Sequence, residues 1–113
     1  MAYDVVTPTR LGGDELDVSP VTTTLRTTPT GSRDIVTNIN IANNASTVAR
    51  VTIYMVPSGG TANDTTVVIP MIKIPKNTVL SWSGSQVSHE GGTIVGTSTV
   101  AGVCVTISGG EVA

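Results

Sequence analysis

The chain has 113 residues and a formal net charge of −2, and only 12% of its residues are charged. A length of this order fits one domain that can bury a core without disulfide or metal staples. The basic residues are scattered, so the sequence lacks the clustered positive charge that binding to nucleic acid requires. Thr and Val are abundant and Phe is absent, which favours strands over helices.

The first residues do not have the pattern of a targeting signal. The opening MAYDVVTPTR has neither the basic nor the apolar region of a signal peptide, and no apolar run approaches the ~18 residues of a membrane span. We therefore expect a protein that is made in the cytoplasm and does not bind membranes. Cys104 is the single cysteine, so no intrachain disulfide can form, and its apolar surroundings predict a buried small hydrophobe.

Residues 1–20 differ from the rest of the chain. Thr7-Pro8, Gly12-Gly13 and Ser19-Pro20 interrupt any regular element, and the apolar residues there have no consistent period. Such a segment is either a flexible tail or an extended arm that becomes ordered on a neighbouring subunit. We favour the arm, because free tails seldom carry so many apolar residues. The partner-binding anchors of this arm are predicted to be Tyr3, Val5, Leu11, Leu16 and Val18.

Alternating apolar and polar residues begin at Val21. Residues 21–28 form a Thr-rich strand, and residues 34–42 have the two-residue period of a half-buried strand, with Ile35, Thr37, Ile39 and Ile41 sharing one face. A hairpin loop at residues 43–46 is expected because Asn bonds to its own backbone. Residues 48–56 follow as a strand, with Ala49, Val51, Ile53 and Met55 on one face.

The second half continues the same pattern. Residues 66–74 form a strand in which Pro70 marks an edge or a bulge, because proline cannot donate to the ladder. Residues 78–83 form a short strand, a loop follows, and residues 86–88 lead to a turn at Glu90-Gly91-Gly92. The last strands are residues 93–99 and 103–108.

Seven or eight short strands at roughly ten-residue spacing are typical of a sandwich or a small barrel. We predict an all-β chain: an extended N-terminal arm, residues 1–20, and a single antiparallel β-sandwich, residues 21–113. The sandwich is either immunoglobulin-like or a jelly roll, and the sequence does not choose between their strand orders.

The sequence predicts no enzyme. His89 is the single histidine, so any nucleophilic triad would have to use it, and it lies in a loop beside Glu90. One His and one Cys cannot make a four-ligand zinc site, and Asp14-Glu15-x-Asp17 lacks the spacing of a calcium loop. The paired glycines precede neither a helix nor a Lys-Ser/Thr, so they predict turns. We expect no catalytic residues, cofactor or metal.

Trp82 is the one large aromatic residue, and it supports a rival hypothesis. A host-glycan-binding module would use Trp82 as a stacking platform, with His89 and the loops at residues 57–64 and 86–92 forming the receptor edge. A single tryptophan on a strand is more often part of the core. The two hypotheses differ in whether Trp82 is exposed.

The segment from Val36 to Val112 resembles a family of small phage and prophage virion proteins. The matching segments are NINIANN (38–44), ASTVARVTIYMVPSGGTA (45–62), IPKNT (74–78), LSWSG (80–84), EGGTI (90–94) and GVCVTISG (102–109). The run YMVPSGGTA (54–62) is the most specific of these. The resemblance covers about two-thirds of the chain, leaves out the first 20 residues and brings no catalytic residues with it.

The resemblance implies a virion structural protein: a capsid decoration or cement protein, or a fibre-base protein, that sits on the particle as a homotrimer. Its partners would be other virion proteins, either the major capsid protein or a neck or tail protein. A neck or tail adaptor is the alternative within the same class, because it needs the same stable sandwich.

Overall fold

The computed structural model describes residues 6–63 and 65–112, and these form strands, turns and loops without a helix. The eight strands are β1 (Val6–Glu15), β2 (Thr23–Thr27), β3 (Arg33–Asn43), β4 (Ala49–Val56), β5 (Val67–Ile74), β6 (Thr78–Ser88), β7 (Thr93–Ser98) and β8 (Val103–Val112). The prediction of an all-β sandwich is confirmed.

The strands form two four-stranded sheets, ordered β1-β8-β3-β6 and β2-β7-β4-β5. Each early strand pairs antiparallel with its counterpart counted back from the end: β1 with β8, β2 with β7, β3 with β6, and β4 with β5. The chain is therefore one long antiparallel hairpin folded over into two layers, which is a jelly roll. Of the two sandwich types that the sequence left open, this strand order selects the jelly roll.

The hydrophobic core fills the space between the two sheets, and every strand except β6 supplies at least one of its buried residues, while Leu80 and Trp82 of β6 pack against it. β4 shows the expected alternation, because Ala49, Val51 and Ile53 are all buried. Each fully buried aliphatic side chain contributes on the order of 1.5–3 kcal/mol. The whole cluster comprises Leu11, Leu16, Leu25, Val36, Ile39, Ile41, Ala49, Val51, Ile53, Ile69, Ile74, Ile94, Val103, Val105 and Ile107.

β3 changes its inward face at Thr37. The predicted shared face for Ile35, Thr37 and Ile39 is wrong, because Val36 and Ile39 are buried while Thr37 is exposed. The register against both β6 and β8 shifts between Val36 and Asn38. One extra residue in a strand moves all residues before it to the opposite face, which a strict two-residue period cannot anticipate.

β5 and β6 are the outermost strands on one side of the two sheets. The predicted irregularity at Pro70 is confirmed: β5 is an edge strand whose register against β4 shifts on either side of Ile53, and Met71 has a φ of 41°. The predicted interruption after Ser83 is wrong. β6 runs unbroken from Thr78 to Ser88, with a register shift that leaves Gly84 and Ser85 unpaired with β3.

The connection at residues 43–46 is not a hairpin. β3 and β4 belong to different sheets, so the chain crosses between the layers there. The buried Asn43 holds the crossing: its Nδ2 donates to the carbonyl oxygens of Thr47 at 3.0 Å and Ile74 at 2.9 Å, and its Oδ1 accepts from Ala45 N at 2.9 Å. The expected bond from Asn to its own backbone is therefore present, in a different type of connection.

The N-terminal arm is not separate from the sandwich in the described residues. β1 pairs along its length with β8 of the same chain, and Leu11 and Leu16 are buried in the core. These two leucines are therefore not free anchors for a neighbour, and residue 20 is not a structural boundary. Val18 is exposed and forms a single parallel bridge with Ser98. Tyr3 and Val5, the other predicted anchors, lie outside the described residues.

β8 is longer than predicted and carries the cysteine on its outer face. The strand continues through Gly109 and Gly110 to Val112, where the sequence predicted a turn. Val103, Val105 and Ile107 are buried as expected. The prediction of a buried Cys104 is wrong: the alternate residues of β8 face outward from the sheet, and the thiol is exposed.

Candidate interaction surface

The two lateral sides of the sandwich differ, and the side formed by β1 and β2 is closed. A Cβ atom on Gly12 would overlap the carbonyl oxygen of Leu25, so the backbones of the two strands meet directly. Leu16 then covers the interior next to this seam, and its side chain reaches Gly96 on β7. Only glycine permits such a close approach.

A buried ionic cluster joins the two sheets. Asp34 on β3 is 0% exposed, and its carboxylate accepts hydrogen bonds from Arg26 of β2, from Nε at 2.8 Å and Nη2 at 3.0 Å, and from the Thr28 hydroxyl at 2.9 Å. Arg26 Nη2 also donates to Glu111 of β8 at 3.2 Å. Hydrogen bonds between charged groups are stronger than those between neutral groups. All of those that Arg26 makes with Asp34 and Glu111 cross from one sheet to the other.

Hydrogen bonding to Asp34 raises the pKa of Arg26 above its ordinary value, while partial burial opposes the shift. A raised pKa in the folded state means that this stabilisation is fully present below the ordinary value. It is lost only as the pH rises through the folded-state value. The cation of the cluster therefore stays charged across the physiological range.

The opposite side of the sandwich is open. β5 and β6 are consecutive strands that end up in different sheets, and the strands at this side leave an apolar groove of about 240 Å³ between them. Trp82 lies opposite Ile39, and Leu80 opposite Ile41, so both side chains extend the core rows of the first sheet towards the groove. The groove is lined by Val68, Ile69, Pro70, Ile72, Leu80, Ser81 and Trp82.

Several large apolar side chains are exposed on the open side. Ile72 lines the groove and is 36% exposed, and Met71 beside it is 60% exposed. Val79 on the outer face of β6 is also 60% exposed. Contiguous apolar surface of this kind marks an interaction site more often than scattered single residues do. We name this surface the open groove: the groove lining together with Met71.

The edge of β5 is poorly suited to pairing with another strand. Pro70 has no N–H to donate, and Met71 adopts a left-handed conformation. The Met71 N–H is already used within the chain, donating to the Thr52 hydroxyl at 3.3 Å. Proline and a bulge on an edge strand block the addition of further strands. A partner of the open groove is therefore not expected to add a strand at the edge of β5.

The charges around the open groove have one sign. From Val67 to Ser88 the sequence has two lysines, Lys73 and Lys76, and no carboxylate. Lys73 lies directly opposite Arg50 of β4, and all three side chains are exposed. Like charges facing each other across a strand pair destabilise it slightly, and a partner with negative charge would relieve that repulsion.

The predicted receptor residues are not brought together. Trp82 is half-buried, packs against the core and lies over Gly84. His89 follows the end of β6, seven residues further on, which is roughly 20 Å along an extended strand. Its neighbour Glu90 accepts a hydrogen bond from Gly31 N at 2.6 Å.

The two predicted loops do meet at this far end. Pro57 and Ser58 line a cleft of about 360 Å³ together with His89 and Glu90. Asp64, the last residue of the first loop, lies outside the described residues. The loops of the predicted receptor edge are thus adjacent, but Trp82, which gave the glycan hypothesis its chemistry, lies elsewhere.

Within residues 6–63 and 65–112, no three His, Cys, Asp or Glu side chains form a group that could hold a metal ion. The described part of the chain also has no helix of the length and apolarity needed to cross a membrane.

Sequence reasoning found part of the open groove and missed the ionic cluster. Pro70 signalled the edge strand and Trp82 stood out as the only tryptophan, but their proximity depends on which strands are outermost. Nothing in the sequence indicated that Asp34 is buried, because its burial follows from the bulge at Thr37. Arg26 and Glu111 are 85 residues apart in the chain.

Comparison with known proteins gives a likeness of fold only. No protein-family model and no curated protein matches the chain. It is similar to a chain in the structure of infectious bursal disease virus, Gt strain, with a TM-score of 0.43 and 12% identity over 96% of this chain. A chain from the Gx strain gives a TM-score of 0.40 and 12% identity over 98%. This chain spans only 32% and 40% of their lengths, and such low scores carry no conclusion about function.

Proposed function

We propose that the protein is a virion structural protein that acts through protein–protein contacts. The observation that carries the proposal is the open groove, where apolar core rows reach the surface between β5 and β6 and no further strand covers them. Jelly rolls occur in viral capsid domains, and also in lectins and cupins, so the fold is compatible with this role but does not establish it. The low content of charged residues is typical of a surface that is covered in an assembly.

The finer proposal follows the family resemblance. We expect a capsid decoration or cement protein, or a fibre-base protein, of a bacteriophage particle, present as a homotrimer and bound to the major capsid protein. A neck or tail adaptor is the alternative, since either location would use the same open groove. Catalysis is not part of the proposal, because the carboxylate next to His89 is already engaged by Gly31 N.

A host-glycan-binding module receives less support. Sugar stacking needs an accessible aromatic face, whereas Trp82 is half-buried among apolar neighbours. The loops that meet at His89 offer a cleft but bring no aromatic platform from among the residues that line it.

The test compares two aspartate variants in purified particles. Ile72→Asp places a carboxylate in the open groove, and Val87→Asp places one at the other end of β6, where the native side chain is 50% exposed. Burying an unpaired carboxylate in an apolar contact should reduce the amount of chain in gradient-purified particles by about tenfold or more. The Val87→Asp variant should be incorporated like the native chain.

Circular dichroism and thermal melting of both purified variants show whether they are folded. If the native chain is absent from purified particles, the proposed function is wrong. If folded Ile72→Asp is incorporated as well as the native chain, the open groove is not the surface that the particle uses.

A further inference from the structure

The closed side of the sandwich carries a surface whose properties complement the open groove. Asp14 and Glu15 end β1, and Asp17 follows, and all three carboxylates are exposed. Val18 and Val21 beside them are 44% and 56% exposed. We name this surface the acidic shoulder: Asp14, Glu15, Asp17, Val18 and Val21.

Hydrogen bonds hold the acidic shoulder in place. Asp17 Oδ2 accepts from the Thr23 hydroxyl at 2.9 Å, and the carbonyl oxygen of Val21 accepts from the Thr97 hydroxyl at 2.8 Å. The backbone N–H of Ser19 donates to Ser98 O at 2.8 Å. The two valines are therefore presented by an ordered segment attached to β7, so little conformational entropy would be lost when they are covered.

The net charge of this region is negative. Arg10 is the one cation on the described part of β1, and its guanidinium lies over Gly13 on the same strand. The acidic shoulder thus has three carboxylates and the described part of β1 has one guanidinium, while the open side has Lys73 and Lys76 with Arg50 adjacent and no carboxylate on β5 or β6. The two lateral sides of one molecule are opposite in charge.

Both surfaces lie at the same end of the sandwich. Glu15 is opposite Cys104 at the start of β8, and Asn43, where β3 ends, is opposite Val103 on one side and Thr78 on the other. Across four strands the separation is about 14 Å, from three interstrand spacings. Two copies placed side by side would therefore bring the acidic shoulder of one level with the lysines of the next.

We propose that the open groove is occupied by the acidic shoulder of a second copy of this chain, in a head-to-tail contact. Val18 and Val21 enter the groove beside Ile72 and Trp82, and the carboxylates face Lys73 and Lys76. A contact between two different surfaces of identical chains closes into a ring when the rotation permits, and the expected homotrimer is one such ring. This inference rests on the proposed function, since it names the partner of the same groove.

The test is a charge reversal on each side and on both sides together. Lys73→Glu with Lys76→Glu makes both sides negative, and Asp14→Lys with Glu15→Lys makes both sides positive. Either pair should raise the dissociation constant of the purified full chain by about tenfold or more, because like charges meet across the contact. The variant with all four changes has opposite charges again and the native net charge of −2, and should associate to within about threefold of the native chain.

Sedimentation equilibrium measures these constants at low and high salt. The control variant, Ser85→Glu with Gln86→Glu, adds negative charge at the far part of β6 and should leave association unchanged. Raising the salt concentration should weaken the association of the native chain. This prediction can be tested without any variant. Trp82, as the single tryptophan, reports on the groove: its emission should shift to the blue and become protected from acrylamide as the native chain associates.

A native chain that stays monomeric at all concentrations would overturn the inference. So would a four-change variant that associates as poorly as either two-change variant. These outcomes are separate from the proposed function, which is judged by incorporation into particles. A monomeric chain found in particles would overturn the head-to-tail contact and the homotrimer but not the virion role. A ring-forming chain absent from particles would overturn only the virion role.

Discussion

At the scale of single residues, Asp34 shows how a buried charge can be accommodated. Its carboxylate is fully buried, and its oxygens accept three hydrogen bonds from Arg26 and Thr28. Replacing such a pair by apolar residues can be neutral, but removing one partner leaves an uncompensated charge. Arg26 and Asp34 belong to different sheets, so we expect the pair to matter for how the two sheets are held together.

Asp34→Asn tests this role. The substitution keeps the shape of the side chain but removes the negative charge and turns an amide N–H₂ towards the guanidinium. We expect the free energy of unfolding to fall by about 3 kcal/mol. The matched control is Asp14→Asn, at an exposed carboxylate on β1, which should change stability by less than about 0.5 kcal/mol. Urea denaturation measures both, and equal losses would contradict the role of the buried cluster.

At the scale of elements, the strands themselves follow from local sequence, but their irregularities follow from their neighbours. β4 alternates as predicted because its inner face meets the other sheet along its whole length. β3 departs from the prediction because its bulge at Thr37 faces Gly109 of β8, where a Cβ atom would overlap the carbonyl oxygen of Ile35. The register of β3 shifts at this place against both β6 and β8, and the pattern of β3 alone does not show it.

Gly12→Ala tests how the closed side is formed. The added Cβ would overlap the carbonyl oxygen of Leu25, which is backbone and cannot rotate away, so β1 and β2 must separate. We expect a loss of about 3 kcal/mol in the free energy of unfolding. Gly31→Ala is the control: its Cβ meets nothing, and the cost is only the strain of a φ of 81°, about 1 kcal/mol. Thermal melting of both variants distinguishes these values, and a smaller loss at Gly12 would show that the seam is loose.

At the scale of the whole molecule, the jelly roll makes the two ends of the chain adjacent. β1 is held by β8, so the first described strand is fixed only after the last one is present. Most contacts in the fold join residues far apart in sequence, because the strand pairs link the two halves of the chain. Such folds form more slowly than folds with local contacts. The same arrangement places the acidic shoulder and the open groove on opposite sides of one rigid body.

Deletion of residues 1–20 tests whether β1 belongs to the domain. The deletion removes a whole strand and the two core leucines, Leu11 and Leu16. Each such leucine contributes about 2–5 kcal/mol, which together approaches the entire stability of a typical domain. We expect the truncated chain to lose its cooperative thermal transition. A chain that begins at Val6 keeps β1 and is the control, and a truncated chain that melts like the control would restore the idea of a separable arm.

Local sequence patterns were enough to predict the class of the fold and most of its strands. A two-residue period, β-branched residues and turn residues at short intervals are local signals, and they located every strand except β1 and the continuation of β6 and β8. Pro70 likewise indicated an edge strand or a bulge, because its missing N–H cannot take part in a regular ladder. Trp82 was singled out as a candidate for either core or surface.

Which strands are neighbours is a property of the tertiary structure. The position of the candidate site depends on it. β1 was missed because Pro8 and its two glycines obscure its period, while its burial comes from β8 and from Leu25 across the seam. The open groove exists because β5 and β6, consecutive in the chain, are outermost in different sheets. Pairing between distant strands is determined by the combined burial of all of them, and no local pattern contains that information.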